Sequence, residues 1–110
     1  MINQGLRNTL IDLAVQDPQK ALILIRGNPD ILKATDNLGE TALHFLVVEN
    51  YNPAARLLIE AGADVNATDK FGNSILFHAE TLKNSEMIQL LRNRHAISLQ
   101  YFETPMLESD

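Results

Sequence analysis

The fold is decided by a stretch in the middle of the chain, DNLGETALH at residues 36–44 followed by LLIEAGADVNA at residues 57–67. Its first part recurs as DKFGNSILF at residues 69–77, where the aspartate, the glycine, a hydroxyl residue and a leucine fall at matching positions. The pair Leu57-Leu58 recurs as Leu90-Leu91 at the same spacing of 33 residues. Two independent matches at one spacing indicate an internal repeat.

The repeat continues, with weaker similarity, into the amino-terminal third of the chain. Asp17-Pro18 resembles Asn52-Pro53, and Gly27 resembles Gly62, both at a spacing of 35 residues, so two extra residues are expected between Gly27 and Asp36. The sequence therefore predicts a single domain over residues 1–100 made of three units. These are a degenerate unit at 1–35, a central unit at 36–68 and a carboxy-terminal capping unit at 69–100, followed by a tail at 101–110.

Each unit is predicted to form two short helices joined by a turn. In the central unit, Thr41 is expected to cap a helix that ends near Glu49, and Asn52 to cap a second helix with Pro53 at its first position. Gly62 is expected to end that second helix in a left-handed conformation. Helices this short persist in water only when they pack on neighbouring units, so the pattern predicts an all-α solenoid.

The expected core follows helical spacing along these helices. In the third unit, Ser74 and Ser85 are expected to act as helix caps rather than as nucleophiles. The residues predicted to face the core are Leu6, Leu10, Leu13, Ala14, Ala21, Leu22, Ile25, Ala54, Leu57, Leu58, Ala61, Met87, Leu90, Leu91 and the stem of Arg94.

The central unit resembles an ankyrin repeat. The family pattern runs D-x-x-G-x-T-P-L-H-x-A-A and then L-L-x-x-G-A-D-V-N-A, and residues 36–67 match it nearly end to end, with Ala42 in place of the usual proline. The third unit departs further, since Phe77 replaces the histidine and His95 stands where the terminating glycine is usual. The resemblance implies an L-shaped stack whose loops project as hairpin-like fingers beside a concave groove, and it implies binding to another protein.

The two fingers, expected at about residues 27–41 and 62–74, carry the candidate binding residues at their tips. Leu38 and Phe71 occupy matching positions, and exposed apolar side chains of this kind contribute binding energy at interfaces. The alternative is that each side chain packs on its own finger or on the neighbouring one. The surrounding polar residues are Asn37, Glu40, Lys70 and Asn73, and the groove residues are Val48, Glu49, Thr81 and Leu82, for which a solvated surface is an equal alternative.

Composition narrows the classes of partner. The chain has 110 residues, 45% of them hydrophobic, and a net charge of −5, which disfavours nucleic acid and anionic membranes and favours a protein with a basic surface. With no cysteine, disulfide scaffolds and thiolate metal sites are excluded. The sequence shows neither a signal peptide nor an apolar run near the ~20 residues that cross a bilayer, so a cytoplasmic location is expected, although export without a cleaved signal fits equally.

The histidines are the residues that an enzyme would need. His44 is expected to be structural, with its imidazole bonded to Thr41 and to the neighbouring loop, as the family resemblance implies. His78 and Glu80 form a His-x-Glu pair, but side chains two residues apart on a helix diverge, so no metal site is expected there. The sequence predicts no catalytic residues, no metal, no cofactor and no small-molecule substrate.

These observations predict a non-catalytic protein-interaction module, either an adaptor or an inhibitor. A bacterial immunity protein and an exported effector are two further versions that the sequence does not distinguish. The alternative from a different class is a metal-dependent hydrolase that uses His44, His78 and Glu80. The tail at 101–110 is expected either to cover the last unit or to serve as a linear peptide for a partner.

Overall fold

The computed structural model describes residues 2–100, which form six α-helices and one 3₁₀ helix. In this part of the chain there is no named strand, and β-type pairing is limited to isolated bridges such as Thr35 with Thr41 and Thr68 with Ser74. The predicted all-α class is confirmed. The helices are α1 (Gln4–Gln16), α2 (Pro18–Gly27), α3 (Ala42–Val48), α4 (Asn52–Glu60), α5 (Ile75–Thr81) and α6 (Ser85–Asn93), with the 3₁₀ helix at Pro29–Lys33.

The helices stack in two rows. Helix α3 packs on both α1 and α5, so α1, α3 and α5 form what we call the first-helix row, and their partners α2, α4 and α6 form the second-helix row. The described part measures 52 × 28 × 20 Å, as expected for units stacked along one axis. One continuous core runs through the stack, and its fully buried side chains include Leu10, Leu43, Leu46, Leu58, Ile75 and Leu91.

The predicted caps at the start of α3 and α5 are confirmed. The Thr41 hydroxyl accepts the backbone N–H of His44, while Nδ1 of His44 accepts the backbone N–H of Thr41 at 3.1 Å. Ser74 Oγ accepts the backbone N–H of Phe77 at 3.1 Å. Each cap satisfies backbone donors that the first turn of a helix leaves without partners.

The predicted caps of the second helices were wrong. Asn84, and not Ser85, caps α6, since its Oδ1 accepts the N–H of Met87. Helix α4 has no side-chain cap, because Asn52 is already helical and its side chain reaches the next unit. There the amides of Asn52 and Asn84 exchange two hydrogen bonds, of 3.0 and 2.9 Å. The inter-unit pair satisfies both amides, so Asn52 does not fold back on its own helix.

The ends of the second helices differ between units. Gly62 has a positive φ of 108° just beyond α4, as predicted, and His95 takes the same role after α6 with φ 63°. Gly27 does not match Gly62, because it is the last residue of α2 and has no positive φ. The two extra residues predicted after it are accommodated by the 3₁₀ helix at Pro29–Lys33, so the first finger is shorter than predicted.

The buried residues also differ in detail from those predicted to face the core. On α4, Leu57 and Ala61 are half-buried while Ala55 and Ile59 are buried, because α4 packs against both α3 and α1. Arg94 lies beyond α6 and is exposed. Leu6, Leu13 and Leu22 are likewise only half-buried.

Among the described helices, none is both long and apolar enough to span a membrane. The predicted tail at 101–110 lies outside the described residues.

Candidate functional site

The two fingers are shaped by an aspartate at the same position in each. Oδ1 of Asp36 accepts the backbone N–H groups of Leu38 and Glu40 at 2.9 and 3.0 Å. Oδ1 of Asp69 accepts those of Phe71 and Asn73, both at 2.9 Å. Because a short carboxylate can reach N–H groups two and four residues ahead, aspartate at this position determines the shape of the tip.

The fingers are joined to each other through their backbones. The N–H of Lys70 donates to the carbonyl of Leu38 at 2.8 Å. Gly39 has φ 77°, and a Cβ atom there would lie 2.8 Å from the backbone nitrogen of Lys70, so only glycine fits. Gly72, at the matching position of the second finger, also has a positive φ but meets no atom of the described residues within 4 Å.

The first finger is held from the other side by Arg7 of α1. Its side chain is buried, donates to the carbonyl of Glu40 at 2.8 Å and pairs with Asp36 at 3.5 Å. The guanidinium also lies 5.7 Å from the ring centroid of Phe45, a cation–π distance. A buried arginine with these partners fixes the finger to the stack.

Leu38 and Phe71 are the exposed apolar residues of the finger tips. Leu38 is 44% exposed and Phe71 is 45% exposed, so about half of each residue is accessible to solvent. Nζ of Lys70 lies 5.3 Å from the ring centroid of Phe71. This partial exposure is compatible with both alternatives, and contact of Leu38 and Phe71 with a partner stays a prediction.

The remaining predicted binding residues differ in their exposure to solvent. Asn37 and Lys70 are exposed on the fingers, whereas Glu40 and Asn73 are half-buried. At the ends of α3 and α5, Glu49, Thr81 and Leu82 are exposed and Val48 is half-buried. Contact of these residues with a partner stays a prediction.

The charges of the described residues are unevenly distributed. The second-helix row carries more basic than acidic side chains, namely Lys20, Arg26, Arg56 and Arg92 against Glu60 and Glu86. Elsewhere acids predominate, with Asp12, Asp17, Asp30, Asp36, Glu40, Glu49, Asp64, Asp69 and Glu80 against Arg7, Lys33, Lys70, Lys83 and Arg94. The negative charge of the described chain is therefore concentrated in the fingers and the other connecting segments, since the first-helix row has only Asp12 and Glu80 against Arg7.

His44 is structural, as predicted for its bond to Thr41, but its second nitrogen departs from the prediction. Nε2 is buried and has no hydrogen-bond partner among the described residues, so the expected bond to the neighbouring loop is not formed. Burial, followed by the neighbouring His78, lowers the pKa of His44 to about 4, while Asp69 opposes the shift. The imidazole is therefore neutral at physiological pH.

Glu40, Asp69 and His78 form a cluster that sequence reasoning missed. Their possible ligand atoms all lie within 4.8 Å of one another. Burial raises the pKa of Glu40, with further contributions from Asp36 and Asp69. For Asp69, burial opposes ionisation, but hydrogen bonds from Asn73 and Phe71 outweigh it and lower the pKa. No local motif connects these residues, because one comes from the central unit and two come from the third.

The His-x-Glu pair does not converge, in agreement with the sequence argument. Glu80 instead pairs with Arg92 at 2.8 Å and accepts the hydroxyl of Ser98. The pKa of Glu80 is lowered, first by the Ser98 hydrogen bond and then by Arg92. Its partners therefore lie on α6 and on the segment after it.

A shallow apolar cleft between the first two units was also missed. It has a volume of about 210 Å³ and lies where the turn between α1 and α2 approaches the start of α4. The signal in the sequence is the apolar residues at the turns, Val15 and Tyr51, which are both exposed. The residues that line it are Ala14, Val15, Pro18, Tyr51, Pro53, Ala54 and Leu57.

Comparison with known proteins identifies the repeat. A family model described as ankyrin repeats, in three copies, matches residues 10–101. The chain is 33% identical over 75 residues to the serine/threonine-protein kinase VIK of Arabidopsis thaliana, a match that covers 68% of this chain and 17% of that protein. It is 32% identical over 89 residues to diacylglycerol kinase zeta of Rattus norvegicus, which covers 78% of this chain and 10% of that protein.

Human neurogenic locus notch homolog protein 1 is 41% identical over 61 residues, which cover 54% of this chain and 2% of that protein. This chain thus spans less than a fifth of the length of each of these relatives. The similarity concerns a repeat segment within proteins of otherwise different description. Because three repeat copies cover most of its length, the chain belongs to the ankyrin-repeat family.

Proposed function

We propose that this chain is a non-catalytic adaptor or inhibitor that binds a protein partner through its finger tips. Ankyrin repeats are protein-interaction modules. The observation that carries the proposal is the pair of half-exposed apolar residues, Leu38 and Phe71, at matching positions on two linked fingers. We call these two residues with Asn37, Glu40, Lys70 and Asn73 the finger-tip surface.

The finger-tip surface is held in one conformation before a partner arrives. In each tip, an aspartate carboxylate accepts two backbone N–H groups. The two tips are joined by the hydrogen bond from the N–H of Lys70 to the carbonyl of Leu38. Loops that are already ordered lose little conformational entropy when they bind. The groove residues Val48, Glu49, Thr81 and Leu82 extend this surface along the first-helix row.

A partner with a basic surface fits the charge distribution. The finger segments, residues 27–41 and 62–74, carry more acids than bases, namely Asp30, Asp36, Glu40, Asp64 and Asp69 against Lys33 and Lys70, whereas the second-helix row is basic. Complementary charge would accelerate association and lose its effect as salt rises. We therefore expect the association rate to fall with increasing ionic strength.

A binding role rather than hydrolysis by His44, Ser74 or Glu80 is supported by the structural roles of these three side chains. Nδ1 of His44 is bonded to Thr41, Ser74 caps α5, and Glu80 pairs with Arg92. A hydrolase requires a nucleophile or an activated water beside a free base. These side chains already have structural partners.

The test is affinity purification from the native host with the wild-type chain and with Leu38→Ala and Phe71→Ala, read by mass spectrometry and followed by affinity measurement. Each substitution should weaken binding by about 1–2 kcal/mol or more. The matched control is Ile23→Ala, since Ile23 is 63% exposed on α2 in the second-helix row and should not affect binding. Unchanged affinity in both finger variants, with all four proteins equally folded by circular dichroism, would overturn the proposal.

A further inference from the structure

The cluster of Glu40, Asp69 and His78 has the spacing of a metal site that is nearly closed. The three possible ligand atoms lie within 4.8 Å of one another, and Nε2 of His78 is 3.4 Å from Oδ2 of Asp69. Two donors that share one Zn²⁺ ion, each about 2.0–2.2 Å away, are separated by no more than about 4.4 Å. A small movement of one side chain would bring all three within reach of one ion.

Glu40 is the side chain that is free to make this movement. It is half-buried, and its carboxylate is engaged by no hydrogen bond or ion pair of residues 2–100. Asp69 is fixed in place because its Oδ1 accepts two backbone N–H groups at 2.9 Å. Its Oδ2 has only a long contact of 3.4 Å from the side chain of Asn73 besides His78, so that oxygen retains the capacity to bind a cation.

The state of His78 is a second and independent indication of a ligand. Its Nε2 is shielded from solvent, and its nearest polar contact among the described residues is Oδ2 of Asp69 at 3.4 Å, which is too weak to count as a hydrogen bond. Buried ring nitrogens without a partner are uncommon and unfavourable. Coordination of a cation by this nitrogen would satisfy it.

The electrostatic environment also favours a cation. Burial raises the pKa of Glu40, and the nearby carboxylates of Asp36 and Asp69 add to the shift, while His78 and Arg7 oppose it. The nearby Arg7 is engaged by Asp36 and by the backbone carbonyl of Glu40. A divalent ion between the two carboxylates of the cluster would relieve their repulsion.

We propose that Glu40, Asp69 and His78 bind one divalent transition-metal ion, with Zn²⁺ the best fit, and that the ion joins the central unit to the third unit. An imidazole with two carboxylates suits Zn²⁺ and its neighbours in the first transition row, whereas Mg²⁺ and Ca²⁺ prefer oxygen ligands alone. Three protein ligands leave a fourth position for water. The inference does not rest on the proposed function.

The experiment is calorimetric titration of ZnCl₂ into the untagged, EDTA-treated chain at neutral pH, with thermal melting in Zn²⁺ and in EDTA. One saturable site per chain is expected, with a melting midpoint that rises in Zn²⁺ and returns in EDTA. His78→Gln and Glu40→Gln should each weaken Zn²⁺ binding at least about tenfold. The matched controls are His95→Gln and Glu80→Gln, which should bind Zn²⁺ as the wild type does.

A readout in the wild-type chain keeps the proposal testable where a variant does not fold. When Zn²⁺ is added, the imidazole ¹⁵N signals distinguish coordination of the ion from a general stabilisation of the fold. The Nε2 signal of His78 should shift, whereas the signals of His95 should not. Absence of saturable binding, loss of binding in His95→Gln, or wild-type affinity in both His78→Gln and Glu40→Gln would each overturn the proposal.

Discussion

The central and third repeats differ at their finger glycines and at the residues that follow their second helices. Gly39 of the central finger has the backbone of Lys70 against it, whereas Gly72 of the third finger faces open space among the described residues. Just beyond the second helix of the central repeat stands Gly62, and just beyond that of the third repeat stands His95, which takes a positive φ without being glycine. At the finger glycines, contact with the next unit therefore imposes a stricter requirement on residue type than the repeat pattern does.

The largest expected effect separates the two finger glycines. Gly39→Ala should lower the free energy of unfolding by roughly 3 kcal/mol or more, because it combines backbone strain with a clash against Lys70. Gly72→Ala should cost only the backbone strain, about 1–2 kcal/mol. Urea unfolding of both variants measures the difference, and equal losses would show that the finger contact does not determine the requirement.

The next effect concerns pH and is specific to the central repeat, since the third has Phe77 in place of His44. The ordinary pKa of 6.5 for histidine falls to about 4 in the folded state, so below 6.5 the unfolded chain binds a proton that the folded chain excludes. The contribution of His44 to the free energy of unfolding is therefore fully present above pH 6.5 and is lost as the pH falls towards 4. The total loss should be about 3 kcal/mol. Urea unfolding at a series of pH values, in EDTA, measures it.

The control for this pH effect is His44→Asn, whose amide oxygen can still accept the N–H of Thr41 but does not titrate. The wild type should lose more stability than this variant over the same pH range. Glu40 acts in the opposite direction, because its raised pKa favours the folded state as the pH falls. Parallel pH profiles for the wild type and His44→Asn would contradict the account of His44.

The third effect compares the two helix ends. Gly62→Val should cost about 1–3 kcal/mol, because a β-branched residue resists the φ of 108° found there. His95→Gly should instead stabilise the chain by about 0.5–1 kcal/mol, since it removes left-handed strain at the cost of some unfolded-state entropy. Thermal melting of both variants tests the pair, and a shift in the same direction for both would contradict the shared role.

The smallest expected effect concerns the cap of α6. Asn84→Ala should cost about 1 kcal/mol, because it removes the cap at Met87 and one partner of Asn52. Ser85→Ala, at the residue first predicted to be the cap, should change stability by less than about 0.5 kcal/mol. Chemical denaturation of both variants checks this, and the reverse order would restore Ser85 as the cap.

Sequence alone predicts the features that are local. The bonds of Thr41 and Ser74 span three residues, and the conformation of Gly62 depends on its own backbone, so their residue types are sufficient to predict them. The pair of Asn52 and Asn84 and the cluster around His78 arise between units. Their prediction requires the distance and rotation between neighbouring repeats, which a repeat pattern does not specify.

The finger-tip surface can be predicted from the sequence only in part. The matching positions of Leu38 and Phe71 are visible in the sequence, and so is the turn that carries each one. Their partial exposure depends on how the fingers pack, which the bond from Lys70 to Leu38 determines. Sequence reasoning therefore locates the tips but leaves open which part of each side chain a partner could contact.

The most direct test of the proposed function is an NMR titration of the ¹⁵N-labelled chain with the partner recovered by affinity purification. We predict that amide signals at residues 36–41 and 69–74, and at the ends of α3 and α5, shift on binding while those of α2, α4 and α6 do not. Shifts confined to the second-helix row, with the finger signals unchanged, would contradict the proposal that the fingers bind the partner.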